Sequence, residues 1–445
     1  MTEATHVNVP HLTTALRGPL QQLEQHMLAN QVAIETWLRH QWLEHPAPFY
    51  TSVDLRNSGF KVAPVDTNLF PAGFNNLNPA FSPLAVQAFQ AAVEHWLPSA
   101  MRVLLIPESH TRNTFYLESL ATLRDLLQVA GLEVRIGSFA EELEHPRKLP
   151  LPSGRTLRLE PVRREGRRVA VGDFSPCLVL LNNDLSGGPP PELEGIEQVI
   201  VPPLHLGWSS RLKSDHFRYY SEVARELAAL VDIDPWLVDP LFRNCGEISF
   251  MQREGEECLA ENVASLLGLI ERKDREYGVE KRPFVGIKAD AGTYGMAVMT
   301  VQSPADVQAL NRKQRTRMAT GKGGVDVSKV IVQEGVYSFE TWDGAVAEPV
   351  VYMVDKYVVG GFYRVHTARG ENENLNAPGM RFEPLAFAES CITPDRSREP
   401  DAEPNRFYTY GVIARLAMLA AAREISARDH TDVECPPDER AAGAG

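Results

Sequence analysis

The chain has 445 residues, 44% of them hydrophobic and 23% charged, which fits a soluble globular protein with room for two or three domains. Its 45 basic and 58 acidic residues leave a net charge of −13, which argues against a nucleic-acid surface but leaves room for local anion sites. The cysteines Cys177, Cys245, Cys258, Cys391 and Cys435 lack Cys-x-x-Cys spacing, no apolar run is long enough to span a membrane, and no secretory signal is visible. These features argue against a disulfide framework or a zinc site, and the expected location is a reducing cytoplasm.

Apolar residues recur at helical spacing from Leu16 to Leu43, predicting two helices before Pro46, and a loop-rich segment follows from Phe49 to Pro83. Arg102 to Ile106 reads as a buried strand. Thr111 to Ala130 reads as a helix with Phe115, Leu120, Leu123 and Leu127 inward, stopped by Gly131 before a strand from Leu132 to Ile136. That order predicts a βαβ unit and a parallel sheet. The arginine-rich stretch from Arg155 to Arg168 reads as a hairpin turning near Gly166, and Cys177 to Asn182 and Gln198 to Val201 as two more strands. Helices are expected over Ser214 to Leu230, Cys258 to Ile270 and Arg406 to Ser426. Strands are expected from Phe284 to Ile287, Met296 to Val301, Val330 to Gln333, Val350 to Val354 and Tyr357 to Val365. Strands that follow one another without helices imply an antiparallel sheet. The expected organisation is an N-terminal segment over residues 1–100, a parallel α/β domain over 101–210, an antiparallel-sheet α+β domain over 211–428 that carries a glycine loop, and a disordered tail over 429–445.

The segment Phe284-Val-Gly-Ile-Lys288-Ala-Asp-Ala-Gly292-Thr293-Tyr294-Gly295-Met296 places a lysine at a strand end, before a glycine loop that runs back into a strand. Glycines let backbone N–H groups approach phosphate oxygens and an ammonium supplies charge, so the pattern suits a nucleotide triphosphate. An ordinary hairpin reads the same way. The chain's return to a strand excludes a Walker-type loop. Farther on, Gln333-Glu334-Gly335-Val336 ends a strand where main-chain groups could meet an adenine edge. Arg364 sits inside an apolar strand and needs an anion or an internal carboxylate partner. Asn374 and Asn376 offer amides suited to phosphate, to metal-bound oxygen or to Asx turns. The order of these motifs, with Lys213 or Arg211 as an upstream cation, resembles ATP-grasp enzymes, including bacterial glutathione synthetases, over about residues 280–380. Lys313, Arg315, Arg317 and Lys322 form either a lid over the phosphates or a solvated loop. Asp66 and Asn68, two apart on an extended chain, resemble the early Glu-x-Asn metal segment of eukaryotic glutathione synthetases.

Taken with Asp66-Thr-Asn-Leu-Phe-Pro-Ala-Gly-Phe-Asn-Asn76 and Tyr357-Val-Val-Gly-Gly-Phe-Tyr-Arg-Val-His366, the chain resembles the ATP-grasp-like glutamate-cysteine ligases of some proteobacteria over about residues 10–428. The resemblance implies synthesis of γ-glutamylcysteine from glutamate, cysteine and ATP through a γ-glutamyl phosphate, the first step of glutathione synthesis. It further implies Lys288 and Lys213 on the phosphates and Gly292, Thr293, Tyr294 and Gly295 covering them. Gln333, Glu334, Val336, Asn374 and Asn376 would lie around the nucleotide, Arg364 at the acyl phosphate, and Asp66 and Asn68 on Mg2+. Another ligase of the same fold, such as a glutathione synthetase, a small-molecule kinase and a non-catalytic nucleotide-binding protein remain open on the sequence alone.

Overall fold

The computed structural model describes residues 19–108, 113–292, 297–321, 326–384 and 406–431. Two helices, α1 (Pro19–Ala29) and α2 (Gln31–Glu44), open the chain as the periodicity predicts. The next segment departs from the expected loop. It forms the antiparallel hairpin β1 (Tyr50–Asn57) and β2 (Val62–Asn68), followed by α3 (Ser82–Trp96). The strand Tyr-Thr-Ser-Val-Asp-Leu-Arg-Asn is rich in polar residues and lacks clean alternation, yet it is almost wholly buried because the other strand that pairs with it comes from far along the chain.

A parallel layer follows, built from β3 (Arg102–Pro107), α4 (Thr114–Val129), β4 (Glu133–Ser138), β5 (Arg147–Pro150), β6 (Thr156–Pro161), the small hairpin β7 (Arg163–Glu165) and β8 (Arg168–Ala170), then β9 (Leu178–Asn182) and β10 (Val199–Val201). The sheet order is β10-β9-β3-β4-β6-β5, parallel throughout except at the β5 edge. Helix α4 starts where the Asn113 side chain accepts the Tyr116 N–H, and it stops at Gly131, whose φ of +95° only glycine adopts readily. Leu120, Leu123 and Leu127 face inward as expected, but Phe115 is 79% exposed. In the first turn its position falls outside the inward stripe.

The second half contains α5 (Lys213–Val231), β11 (Phe242–Glu247), α6 (Glu256–Tyr277), β12 (Val285–Ala289), β13 (Val298–Val301), α7 (Pro304–Gln308), α8 (Arg312–Ala319), β14 (Lys329–Glu334), β15 (Thr341–Trp342), β16 (Ala345–Val354), β17 (Tyr357–His366), β18 (Arg381–Glu383) and α9 (Arg406–Thr431). These strands divide into two antiparallel sheets where one was expected. One has the order β11-β14-β12-β13; the other runs β18-β17-β16-β1-β2, with β15 on β16. The division follows from register: β16 pairs with β1 on its free side, which takes it away from β14. Helix α9 packs against α5, α1 and the β1–β2 hairpin, and Tyr408, Leu416, Met418 and Leu419 on different faces are all fully buried. A helix buried on every side is a core helix, and its buried charges are paired, Arg415 with Glu35 and Glu424 with Arg211. No described helix is long and apolar enough to cross a membrane, and the described cysteines Cys177, Cys245 and Cys258 are free thiols. Apart from the residues that end α9, the tail lies outside the described residues.

Candidate active site

The two antiparallel sheets line one cleft between them. The four-stranded sheet contributes Gly286, Lys288 and Gln333; the six-stranded sheet contributes Asp54, Arg56, Asp66, Glu348 and Arg364. Lys213, Gly292, Glu334, Val336, Asn374 and Asn376 also line it. Residues scattered from 54 to 376 in the sequence therefore meet at one place. Asn68 stands next door, in a second cleft that shares Asp54, Asp66, Arg364 and Asn376 with the first. Thr293, Tyr294, Gly295 and Lys322 lie outside the described residues.

Lys288 donates from Nζ to the Val65 carbonyl (2.8 Å) and to Gln333 Oε1 (2.6 Å). Burial pulls its pKa down to about 8; Asp66 opposes that, and Lys213 and Arg56 add to it. Gln333 is 1% exposed, and its Nε2 has no hydrogen-bond partner among the described residues. Lys213, the first residue of α5, reaches Asp66 Oδ1 at 2.9 Å and lies 3.8 Å from the Trp208 ring centroid. Burial would raise the Asp66 carboxyl, but Lys213 and Lys288 hold it below its usual range. The helix start is fixed by Asp290, just after Lys288. Its carboxylate accepts the Ser214 N–H (2.8 Å) and hydroxyl (2.7 Å), so glycine loop and upstream lysine are tied together.

Arg211, the alternative upstream cation, faces away: it is 1% exposed and bonds Glu424 and the Thr67 carbonyl. Of the two, Lys213 is the one in the cleft.

Arg364 on β17 donates to Asp54 Oδ2 (2.8 Å) and to Glu348 Oε1 (2.6 Å), the latter directly across the β16–β17 ladder. Of the two partners open to a strand arginine, the structure shows the internal carboxylates, and the Arg364 Nε has no hydrogen-bond partner among the described residues. Glu348 also accepts Arg56 Nε at 3.1 Å, and Arg56 Nη1 reaches the Val336 carbonyl. Burial raises Asp54 despite Arg364, with Glu348 and Asp66 adding to the rise; burial also opposes ionisation of Glu348, but Arg56 and Arg364 win and lower it.

Several side chains have other partners. The Glu334 carboxylate takes Lys61 Nζ (2.7 Å), Trp236 Nε1 (3.0 Å) and the Leu241 N–H (2.9 Å), so its side chain is engaged, and its own N–H donates to the Leu241 carbonyl at 2.7 Å. Asn374 Oδ1 accepts the Asn376 N–H and Asn68 Oδ1 the Phe70 N–H, both Asx turns. Lys313, Arg315 and Arg317 on α8 line neither cleft. Asp54, Arg56 and Glu348 escaped the sequence reading. Their one signal is an Asp-x-Arg in the polar strand β1 and a lone Glu inside the apolar strand β16.

The glutamate-cysteine ligase family model matches residues 24–425. A crystal structure of a proposed γ-glutamylcysteine synthetase from Methylobacillus flagellatus KT is 60% identical, with a TM-score of 0.88 over 95% of this chain and 99% of that one. D-alanyl-alanine synthetase A from Vibrio cholerae O1 biovar eltor is 10% identical with a TM-score of 0.31, over 72% of this chain and 81% of that one, a likeness too distant to bear on the fold. No curated protein matches the chain. With the family pattern running through nearly all of its described residues, the chain belongs to the glutamate-cysteine ligase family.

Proposed function

We infer that the protein is an ATP-dependent glutamate-cysteine ligase that forms γ-glutamylcysteine from L-glutamate, L-cysteine and ATP. The family match over residues 24–425 carries that reading. We further propose an ATP-grasp-like arrangement, with the nucleotide gripped between the two antiparallel sheets, and units of 101–210 for the parallel layer and 211–428 for the catalytic part, which the β1–β2 hairpin joins.

In the proposed reaction a glutamate γ-carboxylate oxygen attacks the γ-phosphorus, the bond to the β-phosphate oxygen breaks and ADP leaves. The cysteine nitrogen then attacks the acyl carbon, the C–N bond forms and the acyl C–O bond to phosphate breaks. Of the two protons the ammonium loses, one ends on phosphate and one in solvent. The chain's part is positioning and charge neutralisation, which dominate phosphoryl transfer. Lys288 and Lys213 hold phosphate oxygens, with Gly292 beside them. The main chain at Gln333-Glu334-Gly335-Val336 meets the base, Asn374 and Asn376 close the side, and Arg364 faces the charge that develops on the acyl phosphate.

The donors present fit magnesium. Among the described residues no three His, Cys, Asp or Glu side chains form a metal cluster, but Mg2+ held largely by phosphates needs only one or two carboxylates. Asp66 supplies one, and Asp54, directly opposite on β1, is better placed than Asn68 to supply the other, because it is a carboxylate that lines the first cleft beside Asp66, whereas Asn68 lines only the second. When bound there, the ion would neutralise phosphate charge.

The test is phosphate release from ATP, magnesium and glutamate with and without cysteine, with the product identified by mass. Cysteine-dependent release and a γ-linked dipeptide are expected; ATP hydrolysis without the dipeptide overturns the substrate assignment.

A further inference from the structure

The second cleft, with an open volume of about 1140 Å³, continues from the first past Asp54, Asp66 and Arg364. Its floor is the segment 71–76, tied down from several sides. Asn182 Nδ2 donates to the Pro71 carbonyl at 2.8 Å, the Tyr352 hydroxyl donates to the Ala72 carbonyl, and Ser119 Oγ accepts the Gly73 and Phe74 N–H groups at 2.7 and 3.1 Å. This rigid floor presents Asn75 to the cleft, and the buried Asn75 Oδ1 has no hydrogen-bond partner among the described residues. An unpartnered acceptor in a tied-down loop points to a donor brought by a ligand. At the junction, the unpartnered Nε of Arg364, a residue 8% exposed, marks where the reacting group would sit. One wall is apolar, formed by Tyr352, Phe362 and Phe382 with ring centroids 4.9–5.4 Å apart. The opposite wall carries the first turn of α4; there the Asn113 side chain takes the Tyr116 N–H, the Thr114 and Phe115 N–H groups have no intrahelical acceptor, and the helix dipole favours a carboxylate.

We propose that this cleft is the seat of the acceptor amino acid, cysteine. Its amino group lies toward Asn75 Oδ1 and the Arg364 junction, its α-carboxylate toward the start of α4, and its thiol against the aromatic wall. Among the described residues the charged side chains that line this cleft are Asp54, Asp66, Asp184 and Arg364. The aromatic wall has no cation to meet a second carboxylate, and it suits a zwitterion with a weakly polar side chain. The inference rests on the ligase reading.

Steady-state kinetics of Asn75→Ala and Phe115→Glu test it, with the KM of ATP, glutamate and cysteine measured separately. Phe115 lines the cleft mouth, and a carboxylate in the first turn of α4 suits the helix dipole, so the fold should hold while substrate carboxylate is repelled. The expected result is a rise of tenfold or more in the cysteine KM in both variants, with those of ATP and glutamate changed less than twofold. A rise in the glutamate KM instead, or no change in either amino acid, overturns the assignment. If the ligase reading itself is wrong, the wild-type protein already lacks cysteine-dependent phosphate release, a result distinct from both.

Discussion

Asp54 and Asp66 stand directly opposite one another on β1 and β2, and a different cation holds each, Arg364 on Asp54 and Lys213 on Asp66. Like charges across a ladder repel, so an arrangement that places two of them where two clefts meet needs compensation. Arg364 and Lys213 provide it in the ligand-free chain. A magnesium ion held by the two carboxylates would neutralise them and leave both cations for the substrate.

Asp66→Asn and Asp54→Asn should therefore each lower kcat by about 10²-fold or more, the size of loss seen when one preorganised charge is removed from a transition state. Asp66→Asn should also raise the magnesium concentration needed for half-maximal rate. Titrating phosphate release against magnesium at saturating ATP reads both effects. Unchanged magnesium dependence in both variants would remove these residues from the metal site.

Lys288 gives a pH signature. With its pKa pulled down to about 8, chiefly by burial, it loses its charge as pH rises through that value, whereas an ordinary lysine stays charged past 10. In the free enzyme kcat/KM for ATP should fall above pH 8. Lys288→Arg should move that fall out of the accessible range, because guanidinium stays protonated. Lys288→Met should raise the ATP KM or abolish turnover at every pH without unfolding the chain, as circular dichroism would report.

What was legible in the sequence was local. A lysine at the end of an apolar run, glycines behind it and an arginine inside a strand are short-range patterns, and Lys288, Gly292, Lys213 and Arg364 do line one cleft. Asp54, Arg56 and Glu348 were illegible because their meaning depends on partners far along the chain: Arg56 meets Glu348 across 292 residues. The hairpin that carries Asp54 and Arg56 looked like loop for the same reason, since its polar strand is buried by β16. Side-chain direction was also hidden. Nothing in Gln-Glu-Gly-Val reveals that Glu334 turns toward Lys61 and Trp236, or that Asn374 closes an Asx turn.

The ion cluster behind that strand should shape stability. Burial pushes Asp239 up to about 7, with nearby Lys61 opposing and Glu334 adding to the rise. Asp274 also rises to about 7, again chiefly through burial, then Glu334. Both are raised above the unfolded value near 4, so the folded state holds more protons between about pH 4 and 7. Their contribution is complete below that window and is lost as pH rises through 7, at up to about 1.4 kcal/mol per pH unit for each group. Glu424 has the opposite sign: burial opposes ionisation, but Arg211 and His216 bring it down to about 2, so its contribution holds above the usual carboxylate range and disappears as pH falls toward 2. Urea midpoints from pH 4 to 8 should show a downward slope that flattens in Asp274→Asn; an equal slope in that variant would contradict the assignment.

Gly335 gives the sharpest steric test. A Cβ there would lie 2.2 Å from the ring atoms Cδ2 and Cε2 of Phe284, a ring that is 3% exposed and packed edge-on against Tyr337 at 4.8 Å between centroids. The ring cannot yield without disturbing Tyr337, so Gly335→Ala must displace Phe284, and overpacking of this kind costs about 1–3 kcal/mol. Both Gly335 and Phe284 line the cleft proposed to hold the nucleotide, and Gly335 N–H donates to the Phe284 carbonyl at 2.8 Å, so the shift falls on the segment proposed to meet the base. The ATP KM should rise tenfold or more while the cysteine KM stays within twofold. Gly246→Ala, on β11 of the same sheet with open space around its Cβ, should leave both constants and the melting temperature near wild type. Equal ATP affinity in Gly335→Ala and Gly246→Ala would place the base elsewhere in the cleft.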